Sequence, residues 1–314
     1  MSDVTVTAPA TTAARVPGGR RRKVGTRHGF AGFLFTAPFM ALFLGAFIAP
    51  LIYALYLSVY REQLVGGNTF VGLDNYTEGL ADEQFTDGVV RMALYLLIQV
   101  PLMLVLALVF ALIIDSGKVW FAKLYRVAIF VPYAVPTVIA ALMWGFLCGR
   151  NFGPFADLAN AIDIPPPDFL SQNTMLFSLA NVATWTYTGY NMIILYAALR
   201  AIPSELYEAA AVDGAGPVRT AIHVKLPLLR PALLLCTIFS VIGSFQLFAE
   251  PQIFYSIAPD VIGKSYTPNL YVYNLAFADQ RLNYAAALSF LLGIVVFVVS
   301  YLVMTASRRQ EARR

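Results

Sequence analysis

The sequence predicts an all-α membrane protein of six transmembrane helices, and three observations predict it. The 314 residues are 59% hydrophobic and only 13% charged, with a mean hydropathy of +0.67, outside the range of ordinary soluble domains. Six apolar runs each approach the ~20 residues a helix needs to cross a bilayer. Lysine and arginine, finally, gather in alternate connections between those runs, as they do when a chain crosses a membrane repeatedly.

The runs lie near residues 30–60, 88–114, 124–148, 174–199, 231–249 and 284–306. Pro38, Pro50, Pro101, Pro132 and Pro136 fall in the first three. A bundle tolerates such prolines because neighbouring helices re-satisfy the freed carbonyls, so kinks are expected there. With both termini on one side, that side holds 17 of the 22 basic residues, from Arg15 and the Arg20–Lys23 cluster through Lys118, Arg200 and Lys225 to Arg314. The positive-inside rule makes it the cytoplasmic side.

Residues 1–29, rich in Thr, Ala, Pro and Arg, show no apolar periodicity and read as a disordered basic cytoplasmic tail. Its charges suit a topology anchor beside the first helix, and no nucleic-acid partner is expected. The apolar run that follows is about twice the length of a signal-peptide h-region, so the first helix should be retained. The six-helix transmembrane body runs over 30–307, and 308–314 form a second basic tail.

Several chemistries find no residues to carry them. Cys148 and Cys236 sit in or at the end of apolar runs, which suits small core residues and builds neither a disulfide framework nor a metal cluster. His28 and His223 are too isolated for a metal site. Gly263-Lys264-Ser265 matches the end of a phosphate loop, but Ala258 replaces its first glycine and no strand precedes it. No nucleophile or carboxylate constellation suggests catalysis, and no metal or cofactor is expected on this chain.

Polar residues at membrane depth face a cavity or another helix, because lipid cannot solvate them. In the fourth run Asn181, Thr184, Thr188 and Asn191 follow helical spacing, with Trp185, Tyr187 and Tyr190 at the margins. In the fifth, Ser240, Gly243, Gln246 and Glu250 do the same. Aromatic faces stack on sugar C–H surfaces while amides bind hydroxyls, so this combination suits a carbohydrate. Mid-membrane ionisable groups, which a proton- or sodium-coupled carrier would use, are confined to helix ends such as Arg91, Asp115 and Glu250.

The connection at 200–231 is long and patterned. Pro203 and Ser204 suit a helix start, Glu205 and Glu208 its positive first turn, Gly214 to Gly216 a sharp reversal, and Pro217 the start of a second short helix. Within it stand Glu208-Ala209-Ala210, Gly214, and Val224-Lys225-Leu226-Pro227. This resembles the signature of the membrane-spanning subunits of type I ABC importers: Glu-Ala-Ala, three residues, Gly, nine residues, Ile-x-Leu-Pro. The departure is Val224 for isoleucine. Further stretches resemble the larger, maltose-type permease of carbohydrate importers: 50–58 with Val71-Gly72-Leu73-Asp74-Asn75-Tyr76, then 131–136, then 284–289, with Asn283 where glycine is expected.

The resemblance implies a MetI-like bundle whose loop, through Glu208, Ala209, Ala210, Gly214, Val224, Leu226 and Pro227, docks in a cleft of a cytoplasmic ATPase. That ATPase dimer would hold ATP and Mg. A second permease subunit, an extracytoplasmic sugar-binding protein and membrane lipid complete the expected partners. Among the family's sugar contacts, its tyrosine maps to Tyr133, its small hydroxyl residue to Thr137, a second tyrosine to Tyr190, and later positions to Gln246 and Phe248. Gly243 stands where the family has asparagine, and this departure with that at Gln246 implies a different ligand or a weaker site. The expected substrate site is therefore Tyr133, Thr137, Asn181, Thr188, Tyr190, Asn191, Gly243, Gln246 and Phe248. A di- or oligosaccharide is the expected cargo; glycerol phosphate, an oligopeptide, or a stand-alone secondary carrier are the alternatives.

Overall fold

The computed structural model describes residues 28–63 and 67–312, so residues 1–27 of the expected tail lie outside the described residues. In chain order the elements are α1 (His28–Phe43), a π-turn (Leu44–Ile48), α2 (Ala49–Ser58), β1 (Tyr60–Gln63), β2 (Gly67–Phe70), α3 (Asp74–Ala81), α4 (Glu83–Asp115), α5 (Ala122–Ala134), α6 (Thr137–Leu147), α7 (Pro154–Ala161) and α8 (Met175–Arg200). There follow α9 (Ser204–Val212), α10 (Pro217–Thr220), a second π-turn (Ala221–Lys225), α11 (Leu226–Leu228), α12 (Arg230–Phe245), α13 (Ala249–Ile257), α14 (Pro268–Phe277) and α15 (Leu282–Ala312). The basic segment expected as a tail from 308 continues α15 as far as Ala312.

The chain divides after Ile52 into two compact units. The first consists of α1, the π-turn and the start of α2, with Phe33, Phe35, Phe39 and Phe47 exposed on it. Its π-turn ends two residues before Pro50. Widening the helix there accommodates a ring that would otherwise strike the carbonyl one turn back. The second unit carries everything else.

Among the described residues three helices are long and apolar enough to cross a membrane, Gly32–Ser58, Glu83–Asp115 and Leu282–Ala306, or five if each of two bent pairs counts as one span. The α5–α6 pair bends by 97° and the pair ending in α12 by 66°. Val135 explains the first bend: a residue before proline is pushed out of the helical region, and its ψ of 127° ends α5 just ahead of Pro136. By contrast α4 runs unbroken through Pro101 for 33 residues, about 50 Å. The expected fourth span is α8, whose 26 residues are long enough but do not reach the same apolarity. It is largely buried in the bundle and makes its most extensive contact with α4.

Little hydrophobic force drives helices together in lipid, so close packing relies on small residues. Ala107 and Ala111 of α4 are fully buried beside Met192, Leu195 and Leu199 of α8. Gly189 presses α8 against α5 so closely that a Cβ would land on the backbone of Ile129 and Phe130. Cys148 and Cys236 are buried free thiols, in keeping with a core role.

At the end of the second unit remote from the 200–231 loop, polar contacts lock the helix starts. The described chain is not wholly helical there, since β1 and β2 form an antiparallel hairpin with Tyr60 opposite Phe70. Asn75, buried at the start of α3, donates to the carbonyls of Ser58 and Tyr60, both at 2.9 Å. Asn283, where glycine was expected, donates to Leu57 O at 3.1 Å and Tyr60 O at 3.0 Å, joining the start of α15 to the hairpin. Asp82 caps α4, its Oδ1 accepting from the amides of Gln84 (2.9 Å) and Phe85 (3.4 Å). Its Oδ2 accepts from the hydroxyls of Tyr271 (2.8 Å) and Tyr284 (2.9 Å).

Partial burial pushes the Asp82 carboxyl up, but the two hydroxyls and two amides outweigh it and hold it below the ordinary aspartate range. A depressed folded value stabilises the fold at neutral pH, and that contribution is lost as the pH falls through it. Asp82→Ala is expected to cost about 1–2 kcal/mol through the lost cap and to lower the Tm in detergent. The gap between Asp82→Asn and the native chain should close in acid. Gly189→Val is expected to cost about 3 kcal/mol by overpacking, seen as lost monodispersity on size exclusion. Gly263→Ala, with open space around its Cβ, should behave as native.

Candidate functional site

A cavity of about 540 Å³ opens inside the second unit, between α4, α5–α6, α8 and the α12–α13 junction. Its aromatic wall is a cluster of three tyrosines. Tyr133 stacks on Tyr190 with ring centroids 4.8 Å apart and meets Tyr187 edge-on at 6.1 Å. Thr137 lines the cavity from across the Val135–Pro136 break, and Tyr95 of α4 closes the wall.

The polar groups are held by hydrogen bonds within and between the helices. Asn191 donates to Tyr187 O at 3.1 Å, Gln99 donates to Met103 Sδ at 3.2 Å, and Ser244 donates to Gln99 Oε1 at 3.4 Å and Ser240 O at 2.8 Å. On the far side α12 ends at Phe245, and the non-helical step Gln246-Leu247-Phe248 lines the cavity before α13 starts, with buried Glu250 in its first turn. Among the described lining residues there is no lysine, arginine or histidine.

Seven of the nine expected contact residues line this cavity: Tyr133, Thr137, Tyr190, Asn191, Gly243, Gln246 and Phe248. Asn181 and Thr188 do not. Asn181 is exposed elsewhere on α8, and the buried Thr188 hydroxyl donates to Thr184 O within its own helix. The cavity face of α8 is Ala183, Tyr187, Tyr190 and Asn191, at helical spacings of four, three and one. At about 100° per residue, the Asn181–Thr184–Thr188 line sits roughly a quarter-turn or more away from it. The fifth-run stripe, in contrast, is all at the cavity: Ser240, Gly243, Gln246 and Glu250.

Sequence reading missed the contribution of α4, where Tyr95, Gln99 and Met103 line the cavity. The signal was present, a tyrosine and a glutamine four residues apart in an otherwise apolar run, which places them on one face.

The 200–231 loop is built as two short helices. Gly214, at φ +74°, ends α9: its amide bonds to Ala211 O at 3.0 Å and the Ala215 amide to Ala210 O at 2.9 Å. That pair of bonds is the Schellman arrangement, which needs a left-handed residue there and so favours glycine. Pro217 opens α10, and the second π-turn precedes Pro227 as the first precedes Pro50. Motif residues divide by face. Glu208, Ala209 and Gly214 are exposed, with Leu206, Val212, Val218 and Ile222 exposed near them; Ala210 is buried, and Val224, Leu226 and Pro227 are half-buried against the bundle.

Tyr207 turns inward beside Asp115, the last residue of α4. Burial, with the Asp115 carboxylate adding to it, raises the tyrosine hydroxyl above its ordinary value, so it stays a neutral donor.

Comparison with known proteins agrees with this architecture. Arabinooligosaccharides transport system permease protein AraP of Bacillus subtilis (strain 168) is 30% identical over 283 residues, covering 88% of each chain. Lactose transport system permease protein LacF of Rhizobium radiobacter is 31% identical over 286 residues, covering 89% of this chain and 95% of its own. The solved structure of a bacterial alginate ABC transporter in complex with alginate pentasaccharide-bound periplasmic protein holds a chain of the same fold, with a TM-score of 0.79 at 19% identity over 90% of this chain and 95% of that one. Residues 79–314 match the family described as binding-protein-dependent transport system inner membrane component, and the chain belongs to that family.

Proposed function

We propose that this chain is the permease subunit of an ATP-driven importer that moves an uncharged di- or oligosaccharide, handed over by an extracytoplasmic binding protein. The observation that carries the reading is the cavity. Its volume lies in the range of small-ligand sites, its tyrosines offer stacking faces, and Gln99, Asn191, Ser240 and Gln246 offer amides and hydroxyls. The lack of a described lining cation, with Glu250 present, disfavours phosphate esters and uronates, whose anions need a positive partner. The relatives named for arabinooligosaccharides and lactose support sugar as the class.

Coupling follows from the loop. Its exposed Glu208 and neighbouring apolar side chains form a surface suited to the cleft of a separate ATPase, with Glu208 pairing with a basic group there. ATP and Mg belong to that partner, and this chain hydrolyses nothing. Glu208, Ala209 and Gly214 would meet the ATPase, while Ala210, Val224, Leu226 and Pro227 seat the loop on the bundle. A second permease subunit would complete the pore within the lipid, and both termini would face the cytoplasm with the loop. Closure of the ATPase dimer would then rock the bundle about the cavity.

The test is ATPase activity of the reconstituted complex with binding protein and candidate sugars. A neutral oligosaccharide should stimulate the native complex, and Glu208→Ala combined with Gly214→Pro should lose most of that response. If no sugar changes the rate, or the purified chain transports sugar without an ATPase, the reading is wrong. Gly243→Ala should fold normally, since nothing stands within 4 Å of its Cβ, and the bulkier Gly243→Trp should lower sugar transport at least about tenfold by filling the cavity. Unchanged transport would place the sugar elsewhere.

A further inference from the structure

Asp115 stands at the wrong end of its helix. A helix C-terminus carries partial negative charge, which repels a carboxylate there. The Asp115 side chain is also only 5% exposed, so water cannot relieve the repulsion. What relieves it comes from 110 residues further along the chain: Lys225 Nζ lies 2.5 Å from Asp115 Oδ2 and is itself 14% exposed. Lys225 occupies the position the Ile-x-Leu-Pro signature leaves open, so the motif assigns it no role.

The same ammonium lies 5.0 Å from the ring centroid of Tyr207 on the first loop helix, within the range of a cation–π contact. The Tyr207 hydroxyl in turn donates to Leu199 O, at 3.4 Å, in the last turn of α8. Three side chains thus join both halves of the loop to the ends of α4 and α8. These two helices carry Gln99, Met103, Tyr190 and Asn191 to the cavity, and α4 does so without a break, Met103 lying about 18 Å along it from Asp115.

We propose that Lys225, gripping Asp115 and Tyr207, is the joint that passes movement of the ATPase-docking loop to the two cavity-lining helices. This rests on the importer reading given above. In this role Lys225 is a positioning residue that touches neither sugar nor nucleotide. The strength of the joint lies in its burial: a partly dried ion pair resists shear and holds one geometry, whereas an apolar contact of the same size lets the surfaces slide.

That difference supplies the test. Lys225→Met, Asp115→Asn, the swap Asp115→Lys with Lys225→Asp, and the apolar pair Lys225→Met with Asp115→Leu are each assembled with the ATPase and binding protein in liposomes. ATP hydrolysed and sugar transported are read together. Apolar replacement of a buried ion pair is often neutral or stabilising, so the apolar pair guards against simple failure to fold. The joint requires that it assemble and keep basal ATPase while ATP consumed per sugar rises about tenfold, and that the swap recover most of the native ratio. An apolar pair that transports with the native ratio makes Lys225 a mere structural staple and overturns the proposal. Absence of sugar stimulation in the native complex would sink the importer reading itself, an outcome distinct from native stimulation that none of the variants disturbs.

Discussion

Lipid offers the backbone no hydrogen bonds, and that single constraint orders this structure. A helix that stays unbroken can face lipid; one that breaks must turn its freed amides and carbonyls toward protein or a watered cavity. Both strongly lining breaks of the second unit obey the rule. α5 ends at Ala134 and α6 begins at Thr137, and the residues on either side of the gap, Tyr133 and Thr137, both line the cavity. α12 ends at Phe245 and α13 begins at Ala249, and the step between contributes Gln246, Leu247 and Phe248. The cavity thus sits where helical continuity fails, which is where lipid cannot be.

The same solvent makes shape, rather than apolarity, decide which helices touch. Phe, Leu and Ile gain nothing by leaving lipid for another apolar side chain, so contact is closest where side chains are smallest. Gly189 against Ile129, and Ala107 with Ala111 against α8, draw backbones together. In doing so they fix the rotation of α8 and hence which of its residues meet the cavity. Packing of these glycine and alanine faces sets which side of α8 lines the cavity.

This explains what the sequence made legible. Runs of apolar residues and the Val135–Pro136 step are local signals: three long apolar helices and the 97° bend fall within the expected runs, whereas α4 continues through Pro101, where a kink is expected. The 200–231 loop is equally readable, because Gly214 and the prolines state backbone conformations that those residues favour. Rotation about a helix axis is different. Asn181 and Thr188 are polar at helical spacing, but Thr188 satisfies its hydroxyl within its own helix and Asn181 is exposed away from the cavity. In α4 the reverse holds: Tyr95, Gln99 and Met103 line the cavity from a run whose apolarity says only that it spans. The hairpin at Tyr60–Phe70 was passed over because its four-residue strands are too short for alternation to show.

The two ends of α4 complete the picture. At its start Asp82 meets the positive pole of the helix dipole, two backbone amides and two tyrosine hydroxyls, an arrangement stable without any further partner. At its finish Asp115 meets the negative pole and depends on a lysine delivered by a separate loop. One end is therefore held by its own surroundings, while the other is held by its packing on α8 and by a lysine that belongs to the loop. A rod anchored at one end and steered at the other converts a small displacement of the loop into a tilt, and the residues between, Tyr95, Gln99 and Met103, are the ones that would move against the tyrosine wall of α5 and α8.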